Sequence, residues 1–266
     1  MKVETGVFRE QFPYVRVGVG SQPLVVLPGM TLDNKTPSAL VARSYGQGFR
    51  RLADEYTLYI VQRPRGLSSG AGTKEIAAAY ARLLSQELGR VRLMGLSTGG
   101  SIAQHVAVDQ PDLVDRLVLV VSGASLSPRG REICLRWRDL AQNEQWRQLR
   151  GELTAAAIDG AGAQRAARAF GSLFGGKAPT PTDAADFITL VDADLDHNAV
   201  DDLARLDMPA IVIGGADDPF FPDSVLRQTA AAIPRAELRI YPDTGHGLPK
   251  HQGKRLQEDV LSFLAV

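Results

Sequence analysis

The chain has 266 residues, and its 30 Lys and Arg are balanced by 30 Asp and Glu, so a net charge of zero with scattered basic residues argues against nucleic acid or an anionic membrane as partner. Apolar residues make up 44%, enough for a sizeable core in one large domain or one domain with an insertion. The single cysteine, Cys134, excludes an internal disulfide, and neither a hydrophobic signal core after Met1 nor a bilayer-length apolar run is present, so a cytoplasmic protein is expected.

In chain order, residues 6–11 and 14–20 read as a hairpin, and 24–27 as a strand covered on both faces. A helix over 38–53 precedes a strand at 56–61, and a helix over 73–88 has Thr73 as its N-cap. A strand at 91–96 turns into a helix that Pro111 stops, and 117–121 is another buried strand. Between 125 and 206 no strand-like run occurs; 133–158 and 162–173 are predicted helices, punctuated by Gly171, Gly175, Gly176, Pro179 and Pro181. Alternation resumes with a strand at 210–213, a helix at 223–233, a strand at 237–241 and a last helix from 250 to 264. The pattern predicts an α/β fold: a mostly parallel eight-stranded sheet flanked by helices, with a helical insertion after the sixth strand. The core is residues 1–121 and 207–266, and the insertion is 122–206.

Gly95-Leu96-Ser97-Thr98-Gly99 joins the fifth strand to its helix, the context in which a serine is held exposed on a strained turn. The same spacing recurs at Gly66-Leu67-Ser68-Ser69-Gly70, but there Pro64 has already ended the strand and flexible Ala71-Gly72 follows, so Ser68 reads as a loop residue. A serine at a strand end is a weak nucleophile until a base takes its proton and a carboxylate orients that base. Of the four histidines, His105 lies within the helix after Ser97, His197 reads as a solvated residue among aspartates, and His251 as an exposed one in the last helix. His246, between Gly245 and Gly247 beyond the last strand, is the predicted base. Asp217, Asp218 and Asp243 compete as the acid, the strand-end position favouring Asp218. Cys134 reads as a packed side chain, with no Cys/His cluster at metal-ligand spacing; no G-x-G-x-x-G follows the first buried strand.

These segments together resemble the α/β-hydrolase superfamily from Leu24 to Phe263: Leu27-Pro28-Gly29-Met30, Arg63-Pro64-Arg65-Gly66, the Ser97 pentapeptide, Gln110-Pro111-Asp112, Gly215-Ala216-Asp217-Asp218-Pro219-Phe220-Phe221-Pro222 and Gly245-His246-Gly247. The fragment Gly99-Gly100-Ser101-Ile102-Ala103-Gln104 is similar to the cap-bearing branch of prolyl iminopeptidases, enol-lactonases and haloperoxidase-like esterases. The resemblance implies Asp218 as acid, four residues before Pro222, and Met30 and Thr98 N–H groups as oxyanion donors, with Pro28 standing where the family often has His. Serine as nucleophile separates the chain from dehalogenases and epoxide hydrolases, whose nucleophile is a carboxylate. The implied activity is hydrolysis of a carboxylic ester or related acyl substrate without metal or organic cofactor. An acyltransferase and a slow-turnover ligand sensor of the same fold are the alternatives. Trp137, Trp146, Phe170, Phe174 and Phe187 are candidates for an acyl pocket under the insertion. Sequence leaves the oligomeric state open.

Overall fold

The computed structural model describes residues 3–174 and 176–265, so Gly175 lies outside the described residues. Eight strands form one sheet in the order β1-β2-β4-β3-β5-β6-β7-β8. The strands are β1 (Val3–Phe8), β2 (Phe12–Val17), β3 (Pro23–Leu27), β4 (Thr57–Val61), β5 (Val91–Leu96), β6 (Val114–Val120), β7 (Ala210–Gly215) and β8 (Ala236–Tyr241). β1 pairs with β2 and β2 with β4 in antiparallel register, while every pairing from β4 across to β8 is parallel. The expected mostly parallel sheet of eight strands is therefore what the chain forms.

Strand alternation builds two cores. On β6, Leu117 and Leu119 join the cluster on one face, and Val118 and Val120 join the other. All four are fully buried, each side chain contributing roughly 1.5–3 kcal/mol relative to exposure. The first face is covered by α3 (Thr73–Glu87), α4 (Thr98–Asp109) and α9 (Asp223–Ala232). The second carries α1 (Ala39–Gly48), α2 (Arg50–Glu55) and α11 (Gly253–Leu264), with α10 (Leu248–His251) just before it. In α11, Leu256, Val260, Phe263 and Leu264 fall at the spacing of one helix face, and all are buried.

Several boundaries differ from the sequence reading. The helix expected over 38–53 is two helices, α1 and α2, broken at Phe49; Ser38 caps the first through its hydroxyl. Gly46 and Gly48 weaken helix propagation just where the break falls. Thr73 is not the N-cap of α3. Gly72 takes that place, its N–H donating to Glu75, which leaves the Thr73 side chain buried. The helix expected over 133–158 is also two, α5 (Pro128–Gln142) and α6 (Trp146–Ala156), separated where Glu144 adopts a positive φ of 55°.

Between β6 and β7 stand α5, α6, α7 (Ala161–Phe174) and α8 (Pro181–Asp196). α6 and α7 pack close enough that a Cβ on Gly151 would sit 2.5 Å from the Arg168 carbonyl. α8 is the element that periodicity missed. Pro181, read as punctuation, occupies its first turn, where the missing N–H costs nothing, and the Thr180 hydroxyl accepts from Asp183 N–H as the cap.

Candidate active site

The carboxyl ends of the parallel strands lie along one edge of the sheet, and the loops there carry the predicted site residues. β5 ends at Leu96 and α4 begins at Thr98, so Ser97 is the entire connection. Its φ of 52° and ψ of −126° are a strained conformation for a residue with a Cβ, costing on the order of 1–3 kcal/mol. Backbone bonds hold it there: Ser97 N–H donates to Val120 O at 3.0 Å, and Ser97 O accepts from Gly100 N–H at 2.7 Å. The flanking glycines are needed for closeness. A Cβ on Gly95 would lie 2.4 Å from Gly100 Cα, and one on Gly99 would lie 2.1 Å from Leu27 O.

His246 reaches back from the loop after β8. Its Nε2 is 3.0 Å from Ser97 Oγ, and its Nδ1 is 2.6 Å from Asp218 Oδ2. The other Asp218 oxygen accepts from the N–H groups of Phe220 and Phe221 at 2.8 and 3.2 Å, which fixes the plane of this buried carboxylate. Asp217 and Asp243 are both exposed and make no such contact with the ring; Asp243 sits in the turn at a φ of 52°. The structure thus brings Ser97, His246 and Asp218 into one chain of hydrogen-bonding distances, across 149 positions of sequence from serine to histidine.

The Pro28-Gly29-Met30 loop passes over the serine: a Cβ on Gly29 would stand 3.1 Å from Ser97 Cβ. Met30, the next residue of that loop, is partly buried, and Thr98, which follows Ser97 directly, opens α4. The loop is tied down further along. Arg63 donates to Thr31 O at 2.9 Å, and Arg150 of α6 makes a two-pronged contact with Asp33 at 2.8 and 3.2 Å. Burial lowers the pKa of the Arg63 guanidinium, with Asp186 opposing.

Ser68 is exposed and has none of these neighbours. Among the acyl-pocket candidates, Trp137 lines a cavity of about 830 Å³ beside His246, together with Ile133, Phe220, Arg136, Arg168 and Glu152. The Trp137, Phe220 and His246 rings follow one another, centroids 5.4 and 4.7 Å apart. Phe187 is wholly buried core, and Phe170 and Phe174 are 62% and 70% exposed, so none of these three lines it. Trp146 packs against the core from its edge.

Two further histidines depart from expectation or complete it. His197 is buried, not solvated, with Nδ1 3.3 Å from His105 Nε2 and 3.4 Å from the Thr73 hydroxyl. Burial, then the neighbouring His105, holds its pKa down to about 3, so His197 packs uncharged against α4. His251 is exposed, as expected, and accepts from Asp159 N–H at 3.3 Å. Cys134 is buried, which raises its thiol pKa. The residue that the sequence reading missed is Asp194 on α8. It is 4% exposed and accepts from the Thr98 hydroxyl at 2.6 Å. Burial pushes its pKa up to about 6. Its signal is hidden because periodicity does not reveal α8 itself.

Among the described residues, no group of three His, Cys, Asp or Glu side chains is placed to hold a metal, and no helix is long and apolar enough to cross a membrane. A family model described as the alpha/beta hydrolase family matches residues 24–256. A 2-hydroxy-6-oxononadienedioate/2-hydroxy-6-oxononatrienedioate hydrolase of Pseudomonas sp is 28% identical over 203 residues, 73% of this chain and 71% of that protein. A pimeloyl-(acyl-carrier protein) methyl ester esterase of Pectobacterium carotovorum is 31% identical, over 41% of this chain and 40% of the esterase. The solved enol-lactonase of Burkholderia xenovorans LB400 matches with a TM-score of 0.77 at 17% identity, covering 99% of this chain and all of that one, a likeness of fold.

Proposed function

The chain belongs to the alpha/beta hydrolase family, and on that premise we propose that it hydrolyses a carboxylic ester or related acyl substrate through a covalent acyl-enzyme. In this reading Ser97 Oγ attacks the carbonyl while its proton passes to His246 Nε2. Asp218 holds the imidazole in the tautomer that leaves Nε2 free to accept. The Met30 and Thr98 N–H groups take the charge that develops on the carbonyl oxygen, each worth about 3 kcal/mol by analogy with single-donor deletions. His246 then returns the proton to the leaving alcohol and activates water, which releases the acid and restores the serine. No metal or organic cofactor enters these steps.

The observation that carries the proposal is the 3.0 Å approach of His246 Nε2 to Ser97 Oγ with Asp218 behind the ring. A serine outside such a relay is a poor nucleophile. Residues 122–206 act as a cap in this reading, α5 bringing Trp137 to the cavity beside His246. The acyl group would occupy that cavity against Trp137, Ile133 and Phe220. The relatives named as a 2-hydroxy-6-oxononadienedioate hydrolase and a pimeloyl-(acyl-carrier protein) methyl ester esterase support a hydrolytic reaction, the second of them on an ester.

The test is labelling with a fluorophosphonate followed by peptide mass spectrometry, beside multiple turnover of a short-chain p-nitrophenyl ester. Adduct on Ser97 with loss of esterase activity is the expected result. An unlabelled Ser97 in a folded protein that still cleaves the ester would overturn the assignment.

A further inference from the structure

Helix α8 meets the loops beyond three strands, each with a carboxylate. Asp183 accepts from Asn34 N–H at 3.1 Å, beyond β3. Asp186, one turn on, accepts from Gly66 and Leu67 N–H at 3.0 and 2.7 Å, beyond β4. Asp194, about two turns further, accepts from the Thr98 hydroxyl at 2.6 Å, beyond β5. The first two bind backbone and tie loops in place. The third binds the side chain of the residue that follows Ser97.

Asp194 is an expensive residue to bury. Its Oδ1 has no hydrogen-bond partner among the described residues. A carboxylate in that state is retained at a cost in stability unless it serves something else.

We propose that Asp194 is a positioning residue for the reaction assigned to Ser97: through the Thr98 hydroxyl it holds the first turn of α4, where the oxyanion donor sits. The inference rests on the serine-hydrolase reading. Two substitutions separate the effect of the contact from that of the charge. Asp194→Asn keeps an acceptor for the Thr98 hydroxyl and removes the charge. Asp194→Ala removes both.

The rate of phosphonylation of Ser97 reads both effects without knowledge of the substrate. In that step Ser97 Oγ bonds to phosphorus, fluoride leaves, the serine proton moves to His246 Nε2, and the phosphoryl oxygen occupies the oxyanion site. The full chain and each variant are labelled with a fluorophosphonate across about pH 5 to 9, so that plateau rates are compared. For Asp194→Asn the plateau rate stays within about twofold of the parent, because the acceptor for the Thr98 hydroxyl is kept. For Asp194→Ala the plateau rate falls by roughly tenfold, less than the ~10²–10³-fold lost when an oxyanion donor is removed outright, because the N–H remains and only its position is disturbed. Thr98→Val lowers the plateau similarly, and the Thr98→Val/Asp194→Ala pair is no slower than the worse single variant, as expected of residues acting through one contact. Thermal melts show which variants fold; if Asp194→Ala does not, Asp194→Asn and Thr98→Val carry the test. Folded Asp194→Ala and Thr98→Val variants that label within about twofold of the parent would overturn the inference, and so would an Asp194→Asn variant as slow as Asp194→Ala. In the same assay Ser97→Ala must lose the label. Label that persists at the site in the Ser97→Ala variant counts against the serine-hydrolase reading itself, so the two failures are distinguishable.

Discussion

Two stretches of this chain have the spacing Gly-x-Ser-x-Gly, and their glycines are present for opposite reasons. At Gly66 and Gly70 the φ angles are 72° and 77°, and an added Cβ would meet nothing within 4 Å. Those glycines serve backbone conformation in an open loop. At Gly95 and Gly99 the φ angles are not in the left-handed region, and an added Cβ would strike backbone of the facing segment at 2.4 and 2.1 Å. These serve close packing, and the positive φ falls on Ser97 between them. The difference teaches that the pentapeptide is not itself a device. A serine becomes prominent only where strand, helix and neighbouring loop crowd the turn so tightly that the one side chain left must point out.

The comparison makes its largest prediction for the serines. Ser97→Ala lowers kcat for a p-nitrophenyl ester by about 10⁶-fold, the scale seen when a triad nucleophile is removed. Ser68→Ala leaves kcat within about twofold, because the exposed loop touches none of the reacting groups. Equal losses in the two would end the distinction between the two turns.

The paired aspartates sharpen it. Asp218→Asn is expected to cut kcat by about 10⁴-fold, since an amide favours the wrong imidazole tautomer. Asp217→Asn, at an exposed side chain, changes it by no more than a few fold. Steady-state kinetics on the two variants decide, and the reverse order would exchange their assignments.

The glycines come next. Gly99→Ala forces a methyl group against Leu27 O and costs about 3 kcal/mol or more in urea unfolding. Gly66→Ala, with open space but an unfavourable φ, costs about 1–2 kcal/mol. A smaller loss at Gly99 than at Gly66 would show that the elbow tolerates what its geometry forbids.

The smallest effect concerns pH. His197 is held neutral behind the helix that follows Ser97, with a folded pKa of about 3 against an ordinary value near 6.5. The unfolded chain therefore binds an extra proton between those values, so this group withdraws stability as pH falls through that window. Asp194 acts in reverse. Its carboxyl holds a proton up to about pH 6 when folded and only to about 3.8 when unfolded, so it adds stability as pH falls from 6 toward 4. His197→Gln removes the first contribution alone, and its melting temperature should fall less than the parent's between about pH 6.5 and 4. An unchanged slope would mean that the buried histidine pair does not govern acid stability.

How much of this is legible in sequence depends on whether the signal is local. Ser97 stands out because strand, turn and helix follow one another directly. His246 is set apart by glycines on both sides at the end of a strand. Asp218 is favoured over its neighbours by position, and its partner contacts become visible only in the fold. The insertion is legible as a stretch without strands, yet its second half is not: Thr180-Pro181-Thr182-Asp183 is a capped helix start, while the nearby glycines and prolines read as loop. His197 reads as solvated because aspartates surround it in sequence; in space its ring packs against His105 and the Thr73 hydroxyl.

Local pattern by itself determined the alternation of apolar strands and amphipathic helices, and with it the parallel sheet and the tight turn at Ser97, because those depend on side-chain period and on residues adjacent in the chain. Only the tertiary structure decided which of two aspartates faces the ring, which aromatic lines the cavity, and that α8 lays Asp194 against Thr98. That last contact joins segments 96 positions apart, and its distance is set by how helices and loops pack, which no local window of sequence contains.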